Sequence, residues 1–313
     1  MAYLRKVKIK GKEYWYLFQT VREGDKFKKK SKYLGKKLPE KKELERIKRE
    51  FLEELITTKS KYLSGEDVKR IEAVRETFKE EYSEFSKTEK EKYIRGFLIK
   101  FTYDTNAIEG STLSYKDTAH VLEGIAPKGK TINEVLEAKN MEVCFNMILN
   151  HKGDITVNFI LKLHRTLVSG IDEEIAGTIR KTNVAIYGSK FEPPAWGALE
   201  YEMGEFIKWH KKSKKELHPF ELAVLVHLKL VTIHPFVDGN GRISRLLMNF
   251  VLNKKGYPML NIRYRDREKY YGALEECQVK EVEEPFIRYA TREYFGAYEK
   301  PAISHSKTDT YSG

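Results

Sequence analysis

Hydrophobic residues recur at helical spacing along most of the chain after residue 66. The period of about 3.6 residues predicts helices at 68–82, 89–105, 132–149, 156–168, 196–212, 217–233, 243–253, 268–278 and 284–298. A further amphipathic helix is predicted from residue 38 onward by the spacing of Leu44, Ile47, Phe51, Leu55 and Ile56. We therefore expect a main domain that is mainly α.

Two parts of the chain break the helical pattern. At the N-terminus, strand-like segments at 3–9, 14–20 and 27–33 are separated by turn residues and predict a small β-rich appendage. Residues 177–194 are rich in β-prone residues, which predicts a β-hairpin or an extended flap. The small, polar residues at 301–313 are predicted to be disordered. The expected organisation is an appendage with its connecting helix at 1–62, a main domain at 63–300 and a tail at 301–313.

The composition is typical of a globular protein outside the membrane. Of 313 residues, 41% are hydrophobic and 33% are charged. No apolar run reaches the roughly 18 residues of a spanning helix. The N-terminus lacks the apolar segment of a secretory signal, so we predict a cytoplasmic protein without membrane contact. Cys144 and Cys277 are too few for a disulfide framework and are expected to be buried.

The net charge of +12 is concentrated at the N-terminus. Residues 1–50 contain 18 Lys and Arg against 7 Asp and Glu, a net of +11, which leaves 40 basic and 39 acidic residues in the rest of the chain. A basic sheet with Tyr14, Trp15 and Tyr16 is able to bind nucleic acid through its phosphates. Lysine-rich sheets are also typical of solvated edges that discourage strand pairing, so both interpretations stay open.

The densest group of chemically active residues is the segment HPFVDGNGRISR at 234–245, which lies between two long apolar runs. Gly239 and Gly241 allow a tight backbone turn. The free N–H groups of a helix that starts there form an anion site suited to phosphate. Arg242 and Arg245 are three residues apart, so both lie on one face of that helix and offer paired donors to phosphate oxygens.

Two further side chains complete this group. Asp238 supplies a hard oxygen ligand beside the anion site, as a Mg²⁺ ion that bridges phosphates requires. His234 titrates near neutral pH and is able to accept a proton from an attacking hydroxyl. The segment is not a dinucleotide fingerprint, because Ser244 replaces the third glycine and the preceding apolar run is too long for a strand. The P-loop motif GxxxxGK[ST] does not occur in the sequence.

The segment resembles the Fic family motif HxFx(D/E)GNGRxxR and matches it at every defined position. The resemblance extends over about residues 89–298 and is to the protein adenylyltransferases of that family. It implies a compact Fic-type helical bundle with a β-hairpin flap over the active site. The chain is most similar to the self-inhibited, animal-type branch, in which an inhibitory motif precedes the Fic core.

The resemblance implies a role for each residue of the motif. His234 is expected to deprotonate a Ser, Thr or Tyr hydroxyl of a target protein, and Asp238 is expected to hold Mg²⁺ between the α- and β-phosphates of ATP. Asn240 and the amides of residues 239–241 are expected to hold phosphates, and Arg242 to stabilise the leaving group. AMP would be transferred to the target, and pyrophosphate would be released.

Other residues are implied to contact the nucleotide or the target. The flap residues expected to align the target chain by strand addition are Val184, Ala185, Ile186 and Tyr187. Tyr270 and Tyr271 resemble an aromatic pair that contacts adenine or ribose, with packing in the core as the alternative. Gln278 stands where a polar residue reaches the nucleotide. His164 and His227 lack the partners of a zinc site and are expected to be core histidines.

Residues 105–110, TNAIEG, fit the family's inhibitory signature (S/T)xxxE(G/N). In the self-inhibited branch the glutamate pairs with the second arginine of the central motif and displaces the γ-phosphate of ATP. The resemblance therefore implies that Glu109 pairs with Arg245 and restrains AMP transfer. It also allows removal of AMP from the modified target, a reaction in which the same glutamate positions water.

Three alternatives stay open at this point. Toxin relatives transfer phosphate from ATP bound in reverse, but they depart from the motif where this chain has Gly239, Gly241 and Arg242. Other relatives transfer UMP or phosphocholine. The third alternative is a nucleotide-sensing regulator that binds nucleic acid through residues 1–50. The target protein does not follow from the sequence, and the resemblance leaves a homodimer open.

Overall fold

A computed structural model of the chain describes residues 2–23, 26–57 and 60–299. Three antiparallel strands come first, β1 at Tyr3–Ile9, β2 at Lys12–Glu23 and β3 at Lys26–Gly35, with β2 in the centre. Lys10 and Gly11 both have positive φ, 50° and 79°, and form the tight turn between β1 and β2. The prediction of a small N-terminal sheet is therefore confirmed.

The chain after the sheet is helical over most of its described length. The helices are α1 Lys41–Thr57, α2 Gly65–Glu84, α3 Lys87–Ile108, α4 Tyr115–Leu122, α5 Ile132–Asn150, α6 Val157–Leu167, α7 Leu199–Ser213, α8 Pro219–Ile233, α9 Asn240–Lys254, α10 Arg267–Lys280 and α11 Glu284–Tyr298. Short 3₁₀ helices at Trp196–Ala198 and Tyr264–Asp266 lead into α7 and α10. The predicted mainly α fold is confirmed.

Several helix starts are set by capping residues. Ser64, Ser86, Ser114 and Thr131 each accept a hydrogen bond from the N–H three residues on, and the acidic side chain at that position bonds back to the cap. Helix α4 is not predicted from the sequence, because its eight residues make little more than two turns and show no clear helical period. The capping pair of Ser114 and Asp117 is the signal that could have located it.

Helices α8 and α9 form the centre of the bundle. Nearly every side chain of α8 is buried, including Leu222, Leu225 and Leu228, and α9 is buried from Ile243 to Leu252. Helices buried on all sides must be surrounded by others, here by α3, α5, α6, α7 and α11. The motif at 234–245 occupies the connection between these two central helices, so the core fixes its position.

Some expectations concern other parts of the chain. Cys144 and Cys277 are buried and unbridged. No helix in the described ranges is long and apolar enough to cross a membrane. The side chain of Ile56 and the predicted disordered tail at 301–313 lie outside what the structure describes.

Replacing Ser114 by Ala is expected to lower the free energy of unfolding by about 1 kcal/mol, because the start of α4 loses its capping bond. Denaturant unfolding of the full chain measures the change. Ser83→Ala is the matched control, since Ser83 lies at the exposed end of α2 with its hydroxyl on the Glu80 carbonyl. The control should shift stability by less than about 0.5 kcal/mol. Equal effects of the two substitutions would contradict this account of capping.

Candidate active site

The loop between α8 and α9 is shaped by two residues in the left-handed region of backbone space. Helix α8 is followed directly by His234, with φ 52°, and α9 is preceded by Gly239, with φ 82°. A Cβ on Gly239 would lie 2.9 Å from Leu167, so both the backbone angle and the available space require glycine. The core therefore presents the imidazole and the start of α9 in a fixed relation.

The Asn240 amide is used inside this loop. Its Oδ1 accepts a hydrogen bond from the Phe236 N–H at 2.9 Å, and its Nδ2 donates to the Phe236 carbonyl at 2.9 Å. The side chain is buried. Asn240, expected to hold phosphates, therefore shapes the loop through its side chain, and its backbone N–H lies at the start of α9.

The first turn of α9 offers an anion site. In the described structure no side chain caps this helix start, so the N–H groups of residues 240–242 lack an intrahelical partner. The helix dipole adds partial positive charge at the same place. A phosphate or a carboxylate is the natural occupant of such a site.

A carboxylate already lies against this helix start. Glu109 follows α3 directly, and its Oε1 is 2.5 Å from the position that a Cβ on Gly241 would take. Glycine at this position is what permits so close an approach. The same oxygen accepts a hydrogen bond from Arg245 Nη2 at 2.5 Å. The structure thus brings Glu109, Gly241 and Arg245 together.

Arg245 is 1% exposed, and its donors are used inside the protein. Nε donates to Thr105 Oγ1 at 2.7 Å, Nη2 donates to the Thr105 carbonyl at 3.1 Å, and Nη1 donates to the Tyr270 hydroxyl at 3.2 Å. Burial acts to lower the pKa of Arg245, but Tyr270 and Glu109 raise that pKa above its usual range. Among the described residues, Glu109 is the one carboxylate paired with this cation.

His234 is placed to act as a base. Its Nδ1 lies 3.2 Å from the Val231 carbonyl oxygen, which can only accept, so Nδ1 carries the proton and Nε2 keeps a free lone pair. Burial lowers the pKa of His234 below its usual value. The Arg180 cation adds to this shift, while the Val231 bond and the charges of Glu109 and Asp238 oppose it. The imidazole is therefore neutral at pH 7, as a proton acceptor must be.

Arg180 is a site residue that the sequence analysis missed. It is 3% exposed, and in the described structure no carboxylate pairs with it. Its Nε donates to the His234 carbonyl at 2.8 Å, Nη1 to the Thr182 carbonyl at 2.8 Å and Nη2 to the Pro194 carbonyl at 2.6 Å. Thr182 and Pro194 lie on the two arms of the flap, so one guanidinium joins both arms to His234. The one feature of the sequence that could have indicated this role is a single arginine near the start of the β-prone segment.

The flap at 177–194 is extended, and no strand ladder joins its arms in this described segment. Side chains hold it instead. Asn183 Oδ1 accepts a hydrogen bond from the Trp196 N–H at 3.0 Å, and Glu275 Oε1 accepts one from the Lys190 N–H at 2.7 Å. Two consecutive prolines at 193 and 194 have no N–H to give to a ladder. The chain adopts the extended flap and not the predicted β-hairpin.

The four residues expected to align a target chain lie at the tip of this flap. Val184 and Ile186 are half-buried, whereas Ala185 and Tyr187 are exposed. A turn closed by the Ser189 N–H and the Ile186 carbonyl at 3.1 Å follows them. The backbone groups of residues 184 and 185 make no hydrogen bond to other described residues, which leaves an extended edge for strand addition.

Asp238 and Arg242 form an ion pair beside the anion site. Arg242 Nη2 donates to Asp238 Oδ2 at 2.5 Å, and Nη1 donates to Glu137 Oε1 at 3.1 Å. The Arg242 side chain is 3% exposed, while that of Asp238 is 56% exposed. Two carboxylates thus fix the guanidinium, and Glu137, on α5, gave no signal in the sequence. The Asp238 carboxylate stays open to a further ligand.

His164 joins the flap to the motif loop. Its ring stacks on Phe236 with centroids 3.8 Å apart. Nδ1 accepts a hydrogen bond from the Gly177 N–H at 3.0 Å, and Nε2 donates to the Asp238 carbonyl at 3.1 Å. Burial lowers the pKa of His164 to about 4, so the ring stays neutral at pH 7. This histidine belongs to the core and positions two parts of the site.

The aromatic pair divides into a buried and an exposed member. Tyr270 is 1% exposed. Its hydroxyl lies 3.1 Å from His227 Nε2 and accepts a hydrogen bond from Arg245 Nη1. It packs in the core, which was the alternative to a nucleotide contact. Tyr271 is 43% exposed and donates to the Ile108 carbonyl at 3.0 Å, one residue before Glu109.

Gln278 lies further along α10. Its Nε2 donates to Thr232 Oγ1 at 3.2 Å, one residue before the end of α8. It lines a cavity of about 570 Å³ between the end of the flap, α7, α8 and α10, together with Phe191, Pro194 and Trp209. Gln278 therefore faces a space next to the motif and is not bonded to any motif residue in the described structure.

Comparison with known proteins identifies the region around the motif. The profile of the Fic/DOC family matches residues 154–252. This segment is a Fic domain. Protein adenylyltransferase Fic from Nematostella vectensis is 39% identical over 205 residues, which are 64% of this chain and 47% of the relative. The protein of the same name from Drosophila melanogaster is 40% identical over 192 residues, which are 60% of this chain and 38% of the relative.

Two solved structures share the fold. A Fic-domain-containing signalling protein from Bacteroides thetaiotaomicron superposes with a TM-score of 0.67 at 26% identity, over 74% of this chain and 94% of that one. Fic-1 from C. elegans superposes with a TM-score of 0.68 at 25% identity, over 83% and 77%. The shared fold extends well beyond the Fic domain, while this chain spans less than half the length of the two sequence relatives.

The pKa of His234 is expected to lie below the ordinary histidine value of about 6.5, because burial disfavours the imidazolium. ¹H–¹³C NMR titration of the ring, assigned with His234→Ala, measures this pKa directly. Arg180→Gln removes a cation that lowers the pKa and should raise it. Arg288→Gln, which removes an exposed arginine paired with Glu284, should leave it unchanged. An unchanged pKa in Arg180→Gln would contradict this description of the site.

Proposed function

We propose that this chain is a protein adenylyltransferase, which transfers AMP from ATP to a Ser, Thr or Tyr hydroxyl of a target protein or of itself. The observation that carries the proposal is a neutral His234 held at the end of α8 beside the uncapped, cationic start of α9. The similarity of 39–40% identity to proteins named protein adenylyltransferase Fic supports the same chemistry.

In this reaction the start of α9 and Arg242 hold the phosphates of ATP. The target hydroxyl oxygen attacks the α-phosphorus, and His234 Nε2 accepts the hydroxyl proton. The bond between the α-phosphorus and the oxygen that bridges it to the β-phosphate breaks, so pyrophosphate leaves. Arg242, already fixed by Asp238 and Glu137, faces the charge that develops on the leaving group. Positioning and charge stabilisation supply most of the rate.

The surroundings of Asp238 fit a Mg²⁺ ion. Mg²⁺ is commonly held by one or two carboxylates together with substrate phosphates and water. The Asp238 carboxylate is more than half exposed and lies beside the anion site, which matches that arrangement. Asp238 would hold the ion, and the ion would neutralise phosphate charge when bound.

The flap would bind the second substrate, which is the target protein. The unbonded backbone of residues 184 and 185 would pair with an extended segment of the target and bring its hydroxyl toward His234. Arg180 ties both arms of the flap to the His234 carbonyl, so the same residue keeps the flap and the base in register.

Glu109 restrains the transfer. Its carboxylate lies against the start of α9 and on Arg245, where the γ-phosphate of ATP would otherwise bind. Two anions repel each other strongly at such a short distance in a buried site. ATP must therefore displace Glu109 or bind in a position unsuited to transfer. A glutamate that stays in place would also orient water toward an AMP-modified target, so removal of AMP belongs to the same proposal.

The transfer assay compares ATP labelled at the α-phosphate with ATP labelled at the γ-phosphate. Incorporation of α-label into protein is expected in the wild-type chain, to rise at least about tenfold in Glu109→Gly and to fall by about a hundredfold or more in His234→Ala, since a general base contributes about 10²–10⁴. Glu109→Gln keeps the side-chain volume without its charge and is expected to lie between wild type and Glu109→Gly.

The control substitution for this series is Glu268→Gly. Glu268 is an exposed carboxylate on α10 that is paired only loosely with Arg267. Its loss should leave incorporation unchanged. Transfer of γ-label instead of α-label would show phosphotransfer and would contradict the orientation proposed for ATP. No gain in Glu109→Gly would contradict the restraint, and no transfer of either label would point to another donor.

A further inference from the structure

The N-terminal sheet carries five aromatic rings on one face. The register pairs Tyr3 with Phe18 and Tyr16 with Tyr33, and Tyr14 lies two residues before Tyr16 on the same strand. Side chains two residues apart in a strand share a face. The ring centroids are 5.8 Å apart for Tyr3 and Phe18, 6.0 Å for Phe18 and Tyr16, 5.3 Å for Tyr16 and Tyr33, and 5.9 Å for Tyr33 and Tyr14. We call this row of rings the aromatic face.

Two rings of the aromatic face are exposed to solvent, and Tyr14, Tyr16 and Phe18 are half-buried. Tyr33 is 55% exposed and Tyr3 is 40% exposed, whereas Leu17, which points to the other side of β2, is completely buried. The buried core side chain of β2 thus lies on the opposite face, where Lys6 and Lys8 are exposed. Five neighbouring rings, each exposed or half-buried, form a contiguous apolar patch, and such patches mark binding surfaces.

The charges on the aromatic face have one sign. Register places Arg5 opposite Tyr16, Lys12 opposite Ile9 and Lys29 opposite Thr20, all on this face and all exposed. None of the three cations forms an ion pair with a described residue. The described side chains of this face include no Asp or Glu, since Glu13 lies on the other face and pairs with Lys6 at 3.0 Å.

Rings and cations together select the ligand. Cations attract phosphates, and aromatic rings stack on bases whose faces are free. Duplex DNA keeps its base faces inside the helix, and an acidic peptide has no flat rings to stack. Either ligand would contact the cations of the aromatic face but would not stack on its rings. We propose that the aromatic face of the N-terminal sheet binds single-stranded nucleic acid. This inference does not rest on the proposed transfer activity.

Fluorescence anisotropy of the full chain tests the proposal, with a labelled oligothymidylate of about 15 nucleotides, long enough for a site of this kind. Binding should be weaker by about fivefold or more in Tyr33→Leu, which removes a stacking ring and keeps an apolar side chain. Tyr201→Leu, at a 68% exposed tyrosine of α7, is the matched control and should bind like the wild type.

A second pair of variants changes the surface charge of the sheet without changing how its side chains pack. Lys29→Gln and Lys8→Gln each remove one exposed lysine of the same sheet, but Lys29 lies on the aromatic face and Lys8 on the opposite one. Lys29→Gln should weaken binding several-fold and lower its salt dependence, and Lys8→Gln should change it by less than about twofold. Transfer of AMP should be unaffected by all four substitutions, so failure here and failure of the proposed function are distinguishable.

The following results would overturn the inference. The first is binding of a duplex of the same length as tightly as the single strand. The second is equal competition by polyglutamate, which would show a purely electrostatic surface. The third is no saturable binding at low salt, or equal effects of Lys29→Gln and Lys8→Gln.

Discussion

The guanidinium of Arg245 is buried, and a buried charge is costly unless it is hydrogen-bonded or paired where it lies. Removing one partner of a buried ion pair typically costs about 3–5 kcal/mol, because the remaining charge is left without compensation. Here the compensation comes from Thr105 and Glu109 at the end of α3 and from Tyr270 on α10. The cation thus ties three helices together at the start of α9. In the proposed function, restraint and nucleotide binding are two ways to compensate the same charge, since either a glutamate or a phosphate can supply the anion.

Buried side chains that bond to the backbone hold the rest of the site. His234 and His164 both have pKa values lowered by burial. His234 holds a backbone group with one ring nitrogen, and His164 holds two backbone groups with its two ring nitrogens. Arg180 adds three bonds to carbonyl oxygens and joins the flap to the loop. The base, the anion site and the flap are therefore placed by contacts within the bundle, before any substrate is present.

The sequence predicted the parts of the fold that repeat and the parts of the site that are contiguous. Helical periodicity located the long helices, and the motif at 234–245 located the loop between α8 and α9. Helix α4 has only eight residues, which are too few turns for a helical period to be recognised. Glu137 and Arg180 act through residues that lie 105 and 54 positions away, respectively, and no local pattern reports such contacts. The flap does not form a β-hairpin. Hydrogen bonds made by the side chains of Arg180, Asn183 and Glu275 hold its arms in place of a strand ladder.

The most direct test of the account is whether Glu109 occupies the place of the γ-phosphate. Calorimetric titrations would measure the affinities of ATP and of ADP for two proteins. One carries His234→Ala, which blocks turnover, and the other carries both His234→Ala and Glu109→Gly. The account predicts that removing Glu109 strengthens ATP binding by about tenfold or more, equal to about 1.4 kcal/mol, and strengthens ADP binding much less. Equal gains for both nucleotides, or no gain for either, would contradict it.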